Sequence, residues 1–284
     1  ASSTMGMIIP PSIPMILFAV TAQVSVGRLF LGGVIPGLLV GVFQLALTLW
    51  IAHRLGFPKE KAAFAWDQVV RSLYILIMPL FVVGTVVFGI ATATESAGLG
   101  VLYAILVGFL LTKHLTWRQF INVVRSSILT SAKIMMIIAF SQVFIWVLAL
   151  ERLPETIATL VEGANLSPFF MLLLIIAIIL AAGTFIDVSP AILLLTPVFL
   201  PAIVSAGISP ILFGVILCTG LAVGACTPPV GNCLNVCVIV SGLRIGQIFR
   251  AAFPFLLANV LTLVLMALFP QLVLWLPELV MGES

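Results

Sequence analysis

Two long apolar stretches are interrupted by polar residues, glycines and prolines, and these interruptions hold most of the residues capable of chemistry. One interruption reads GTFIDVSP and the other GACTPPVGN, which contains the pair Pro228 and Pro229. A helix cannot continue through two prolines, because each lacks a backbone donor and has a fixed φ. The opened backbone exposes carbonyl oxygens, which can bind a sodium ion together with hydroxyl, amide and carboxylate oxygens. We therefore predict a sodium site formed by Gly183, Asp187, Ser189, Gly224, Thr227, Val230 and Asn232.

Each of these residues also has a purely structural interpretation. Asp187 is the only acid between 168 and 204, and it could cap the helix that begins near Ser189 instead of binding an ion. Glycines and prolines can simply kink a helix, while threonine and asparagine side chains bond to nearby backbone. Glu95 is expected to cap a helix over 97–112 rather than contact a substrate.

The N-terminal stretch ASSTMGMIIPPSIP resembles the second interruption. Aligning 1–40 with 219–258 pairs Gly6 with Gly224, Pro10 with Pro228 and Pro36 with Pro254. The same chemistry then predicts a second set of ion ligands, Ser3, Gly6, Ile9, Pro10 and Ser12. The alignment also predicts that the chain starts part-way through a first repeat, whose hairpin would lie upstream of Ala1.

The elements that must position these residues are apolar helices. The 284 residues are 63% hydrophobic and 7% charged, whereas a soluble domain carries about 25% charge. Apolar runs of membrane length predict continuous crossings near 28–54, 72–92, 97–112, 126–150 and 252–276, with a hairpin over 168–204 and a broken helix over 209–242. Amphipathic helices are predicted over 57–71 and 115–125. The predicted fold is an all-α, polytopic helical membrane protein.

The distribution of lysine and arginine predicts the orientation. If the 54–71 loop is cytoplasmic, nine of the twelve basic residues lie on that side, two lie outside and Lys133 lies within a span. This count requires 168–204 to be a re-entrant hairpin, and it places Arg244 inside and the C-terminus outside. The two proline-broken helices then run in opposite directions, which predicts inverted repeats in three parts: 1–54, 55–167 and 168–284.

Several functions are excluded by what the sequence lacks. The basic residues are scattered, so nucleic acid is not a predicted partner. The sequence contains no catalytic triad pattern, phosphate loop or His/Cys cluster with metal spacing, so we predict no enzyme activity, no transition metal and no organic cofactor. The four cysteines are predicted to be small buried residues rather than a metal or redox site.

The stretches LGGVIPG, ATATESAGLGVLYAILVG, GTFIDVSPAILLLTPVFLPAI and CTPPVGN closely resemble the large membrane subunit of tripartite ATP-independent periplasmic (TRAP) transporters. The resemblance implies a sodium-driven elevator in the bacterial inner membrane that imports small organic acids. It also implies two partners, a small four-helix membrane subunit and a periplasmic substrate-binding protein. Two other interpretations remain open: a single-chain anion symporter without a binding protein, and a membrane subunit that conducts no solute.

Overall fold

The protein was studied as a computed structural model, which describes residues 2–56, 66–112, 115–154, 156, 159, 163 and 167–282. Every regular element in those residues is helical. The helices are α1 (Ser3–Ile8), α2 (Ile13–Ala22), α3 (Val26–Leu55), α4 (Trp66–Val87), α5 (Ala93–Leu106), α6 (Trp117–Leu150), α7 (Pro168–Phe185), α8 (Val188–Ser205), α9 (Pro210–Gly224), α10 (Asn232–Ser241), α11 (Ile245–Leu268) and α12 (Gln271–Met281), with a π-helix at Val107–Leu111. Seven segments of this part of the chain are long and apolar enough to cross a membrane. The all-α, polytopic membrane fold is thus confirmed.

Most of the predicted boundaries agree with the structure. The break at Pro10 and Pro11 separates α1 from α2, and the break at Pro228 and Pro229 separates α9 from α10. The predicted hairpin consists of α7 and α8, joined by Ile186 and Asp187 alone. Most of the predicted amphipathic segment 57–71 lies outside the described residues, and 66–71 form the start of α4.

Two predicted boundaries are wrong. The segment predicted as one crossing over 252–276 is two helices, because Pro270 cannot donate a backbone hydrogen bond and disfavours helical geometry at Phe269, whose φ is −123° and ψ 78°. The segments 115–125 and 126–150 were expected to be separate, but Trp117–Leu150 is one continuous helix. The run of polar residues in its first half contains no glycine or proline to end it.

The chain divides into two compact units, residues 1–55 with 138–284 and residues 56–137. In the first unit, α9 is the central element, since every residue from Leu212 to Gly224 is buried. It packs against α1, α2, α3, α7, α8, α11 and α12. In the second unit, α4 packs against α5, and the Thr85 hydroxyl donates to the buried Ser96 hydroxyl over 2.9 Å.

Two helices that the sequence alignment matches, α3 and α11, pack against each other. Helices α3 and α11 are equivalent in the alignment, and each contains one internal proline, Pro36 and Pro254. Midway along them, the Gln44 amide donates to Asn259 over 3.1 Å. Near the start of α3, a Cβ on Gly32 would lie 3.2 Å from Val273, in the first turn of α12. The residue number therefore rises along α3 as its contacts fall from α12 back to α11, so α3 runs antiparallel to this C-terminal segment.

Candidate functional site

The second proline break is a short irregular segment between two helices. Helix α9 ends at Gly224, whose carbonyl accepts from the Thr227 amide over 2.8 Å. Helix α10 begins at Asn232, after Gly231 with a φ of 45°. A Cβ at Gly231 would lie 2.8 Å from the Thr227 carbonyl oxygen, so this turn requires glycine both for its positive φ and for its space.

The hairpin tip packs directly on this break. A Cβ at Gly224 would lie 2.7 Å from the Gly183 Cα, and a Cβ at Gly183 would lie 3.1 Å from the Gly224 Cα. The Gly231 amide donates to the Thr184 carbonyl over 3.3 Å. Backbone therefore touches backbone where α7 meets α9, and the predicted meeting of hairpin tip and proline break is confirmed.

Asp187 faces the break rather than its own helix. It is the N-cap residue of α8, yet its side chain makes no capping hydrogen bond. Its Oδ1 instead accepts from the Asn232 side-chain amide over 3.1 Å, and both side chains are exposed. The first residue of α10 is thereby linked to the hairpin tip through a carboxylate, the strongest oxygen ligand for a hard cation in this region.

The other predicted ligands of the second repeat lie around this contact. The Thr227 hydroxyl donates to the Val223 carbonyl over 3.0 Å, and its lone pairs remain available to a cation. Val230 is exposed and Ser189, in the first turn of α8, is half-buried. Backbone amides donate to the carbonyls of Gly224, Ala225 and Gly231. Within the described residues, no backbone amide donates to a carbonyl of 226–230, so these carbonyls could bind a cation.

The predicted ligands of the first repeat have different environments. Ser12 is buried and its hydroxyl donates to the Met7 carbonyl over 2.5 Å while accepting from the Met15 amide over 3.5 Å, so it joins α1 to α2 locally. Ser3 and Gly6 are exposed, whereas Ile9 and Pro10 are half-buried. Ser3 reaches the second break, with its Oγ 3.7 Å from the Cys226 Sγ.

A buried polar cluster close to these breaks was missed by the sequence analysis. The Asn259 amide donates to the Thr4 hydroxyl over 3.1 Å, and the Gln44 amide contacts both residues. All three side chains are buried and join α1, α3 and α11. The sequence could have indicated this cluster, because Gln44 and Asn259 are uncharged polar residues within apolar spans. Such residues usually hydrogen-bond between membrane helices.

Gln44 also lines a cavity of about 520 Å³ in the same unit. The cavity is bordered by α3, α10 and the first half of α11, with Thr48, Ser241 and Gln247 as polar lining residues. None of the predicted ion ligands lines it. Its size suits a small molecule, and the lining residues that the structure describes are uncharged.

Glu95 has the capping role that was expected. Its carboxylate accepts from the Thr92 amide and from the Thr92 hydroxyl, each over 2.8 Å, and the Thr92 hydroxyl accepts from the Glu95 amide over 3.3 Å. This reciprocal arrangement is a capping box, which satisfies two amides at the start of α5.

Comparison with known proteins gives a consistent result. The family described as tripartite ATP-independent periplasmic transporter, DctM component, matches residues 1–272. Similar curated proteins include the 2,3-diketo-L-gulonate TRAP transporter large permease protein of Escherichia coli, 32% identical over 94% of this chain and 64% of the relative. The sialic acid TRAP large permease of Vibrio cholerae is 33% identical over 99% of this chain and 67% of the relative. The C4-dicarboxylate TRAP large permease of Pseudomonas aeruginosa is 33% identical over 98% and 66%. The chain thus spans about two-thirds of the length of these relatives.

Proposed function

The chain belongs to the DctM family of tripartite ATP-independent periplasmic transporters, and from this we propose that it forms the permease part of a sodium-coupled importer of small organic acid anions. The three relatives named above carry a diketo sugar acid, sialic acid and C4-dicarboxylates in their names. Each of these substrates has a carboxylate. The proposed substrate is therefore a small carboxylate, and the membrane is the bacterial inner membrane.

The contact between hairpin tip and proline break is the observation that carries the proposal. Asp187 and Asn232 meet there over 3.1 Å, beside Thr227 and the irregular backbone of 226–230. Irregular backbone survives at membrane depth only where protein or water covers it. A sodium ion between tip and break would neutralise Asp187 and occupy carbonyl oxygens that lipid cannot satisfy.

Sodium bound in this position would couple to the substrate through the hairpin. An ion that holds the tip against the break stabilises one conformation of α7 and α8, and a substrate that prefers this conformation binds more tightly when sodium is present. Such coupling is reciprocal, so substrate must raise the affinity for sodium by the same factor. The part of the chain that has bound sodium and substrate would then move across the membrane as an elevator. Residues 55–167 would contribute the connecting and scaffold helices.

The partners follow from the three-part family architecture. We propose that a small four-helix membrane subunit joins this chain and that a soluble periplasmic protein delivers the substrate. The polar segment around 152–167 would face the periplasm in the predicted topology, as would the C-terminus. A single-chain anion symporter is the second proposal, because the hairpin and break would operate identically without a binding protein.

Uptake by the full-length protein, reconstituted with its small membrane subunit into proteoliposomes, tests both proposals. We expect accumulation of a carboxylate substrate only with an inward sodium gradient and only with the binding protein present. Equal uptake without the binding protein would favour the single-chain symporter. Absence of any solute flux under all gradients would support the non-conducting subunit instead.

A further inference from the structure

The first half of α6 carries positive charge with no acid to balance it. Between Glu95 and Glu151 the sequence has four basic residues and no aspartate or glutamate. Three of the four, Arg118, Arg125 and Lys133, lie in α6, and all three side chains are exposed. None of them forms an ion pair or a side-chain hydrogen bond within the described residues. The described part of the chain therefore leaves this charge available to an anionic partner.

The three cations lie on one face of α6. Successive residues of an α-helix are rotated by about 100°, which places Arg118, Arg125 and Lys133 within about 80° of one another around the axis. Along the axis they are separated by about 10 and 12 Å, at 1.5 Å per residue. Asn122 and Leu129, both exposed, lie between them. These five residues form the basic face of α6.

The opposite face of α6 is turned toward α5 and the π-helix. Trp117 and Phe120 pack with Phe109 of the π-helix, with ring centroids between 5.4 and 6.4 Å apart. Further along α6, Val124 and Ile128 line a cavity of about 540 Å³ that α5 borders from the other side. These contacts fix the rotation of the helix about its axis, so the basic face points away from α5.

The basic face lies next to an apolar span of the same helix. The 34 residues of α6 extend for about 50 Å, whereas the hydrocarbon core of a bilayer is about 30 Å thick. Residues 134–150 contain no charged side chain, so they are the part suited to hydrocarbon. The part before Lys133 therefore extends into the headgroup region, where an exposed tryptophan such as Trp117 is also favoured.

We infer that the basic face of α6 binds the headgroups of anionic phospholipids such as phosphatidylglycerol. Phosphate oxygens accept strong, charge-assisted hydrogen bonds from arginine and lysine. Each basic residue near an anionic membrane surface adds to the attraction, which a zwitterionic headgroup without net charge does not provide. The apolar span that directly follows the basic face places headgroups beside it, which favours lipid over an acidic segment of a partner protein. This inference does not depend on the proposed transport function.

Native mass spectrometry of the full-length protein, purified in an uncharged detergent and titrated with phosphatidylglycerol or phosphatidylcholine, tests this surface. One basic residue near an anionic surface changes affinity roughly fivefold. The triple variant Arg118→Gln, Arg125→Gln, Lys133→Gln should therefore bind phosphatidylglycerol at least about fivefold more weakly and bind phosphatidylcholine as the wild type does. The variant Arg118→Lys with Arg125→Lys keeps the charge and should keep the wild-type affinity for both lipids.

Two controls separate the basic face from the total charge of the protein. Asn122→Ala changes the same face without removing charge, and Arg152→Gln removes a charge beside Glu151, just past the other end of α6. Both should keep wild-type binding of phosphatidylglycerol. Wild-type binding by the triple variant, or an equal loss in Arg152→Gln, would overturn the inference. Loss of the small membrane subunit from the triple variant with lipid binding unchanged would also overturn it, since the face would then be a protein interface. Lipid binding is measured without transport, so an inactive transporter would count against the proposed function alone.

Discussion

Adding one methyl group at Gly224 should separate the hairpin tip from the proline break. The new Cβ would lie 2.7 Å from the Gly183 Cα and 2.9 Å from the Leu180 carbonyl oxygen, whereas ordinary contacts begin at 3.4 Å. The tip must therefore move by roughly 0.7 Å, and backbone atoms cannot relieve the overlap by changing rotamer. Overpacking of this kind costs about 1–3 kcal/mol, against a helix-propensity gain of roughly 0.5–1 kcal/mol for alanine.

A graded series of alanine variants isolates this contact. Gly183→Ala meets its neighbours at 3.1 Å and should be milder, while Gly246→Ala, in the first turn of α11, meets nothing within 4 Å and is the control. We expect apparent melting temperature in detergent and sodium-driven uptake to fall in the order Gly246→Ala, Gly183→Ala, Gly224→Ala. Uptake should fall further than stability explains, because the displaced tip carries Asp187 away from Asn232. If Gly224→Ala matched Gly246→Ala in both measurements, the packing of the tip on the break would be refuted.

Three further predictions concern other parts of the chain. A cysteine replacing Arg244 should react with a membrane-impermeant thiol reagent only from the cytoplasmic side, and labelling from outside in intact cells would remove the inverted topology. Glu95→Gln should keep its capping box and wild-type uptake, whereas Glu95→Ala loses the bonds from the Thr92 amide and hydroxyl and should lower the apparent melting temperature. Loss of uptake in Glu95→Gln would assign this residue to the substrate. Asn259→Leu should lower stability by about 0.6 kcal/mol for each hydrogen bond lost, and a double-mutant cycle with Thr4→Val should show coupling; strict additivity would mean that the cluster does not act as a unit.

Helix breaks were predictable at paired prolines, because two adjacent prolines remove two backbone donors, whereas single prolines such as Pro36 and Pro254 lie inside α3 and α11. The match of Pro228 and Pro229 to Pro10 and Pro11 predicted the repeat before any contact was known. Hydropathy alone was less informative at Pro270, because Gln271 is the one polar residue in the apolar run 264–276. At Trp117–Leu150 the sequence analysis predicted a break that does not exist. The composition changes from polar to apolar there, but such a change does not end a helix.

The partners of individual side chains were beyond sequence reasoning. Whether Asp187 caps α8 or faces the break depends on a rotamer, and the choice is made by Asn232, which lies 45 positions away. The sequence suggested the contact between Gly183 and Gly224 only because both residues lie at helix breaks. The packing of α7 on α9 shows why neither position has room for a side chain.

The sodium dependence of uptake in variants of the tip and break tests the central claim most directly. Asp187→Asn removes the negative charge of one proposed ligand, and Thr227→Ala and Asn232→Ala each remove a ligand oxygen. Asn235→Ala, on the same exposed part of α10, is the control. A lost interaction with a charged group is worth about 1.5–3 kcal/mol, so the sodium concentration for half-maximal uptake should rise at least about tenfold in the three variants and stay unchanged in Asn235→Ala. Wild-type sodium dependence in all three, or uptake driven by a proton gradient with sodium absent, would contradict the proposed site.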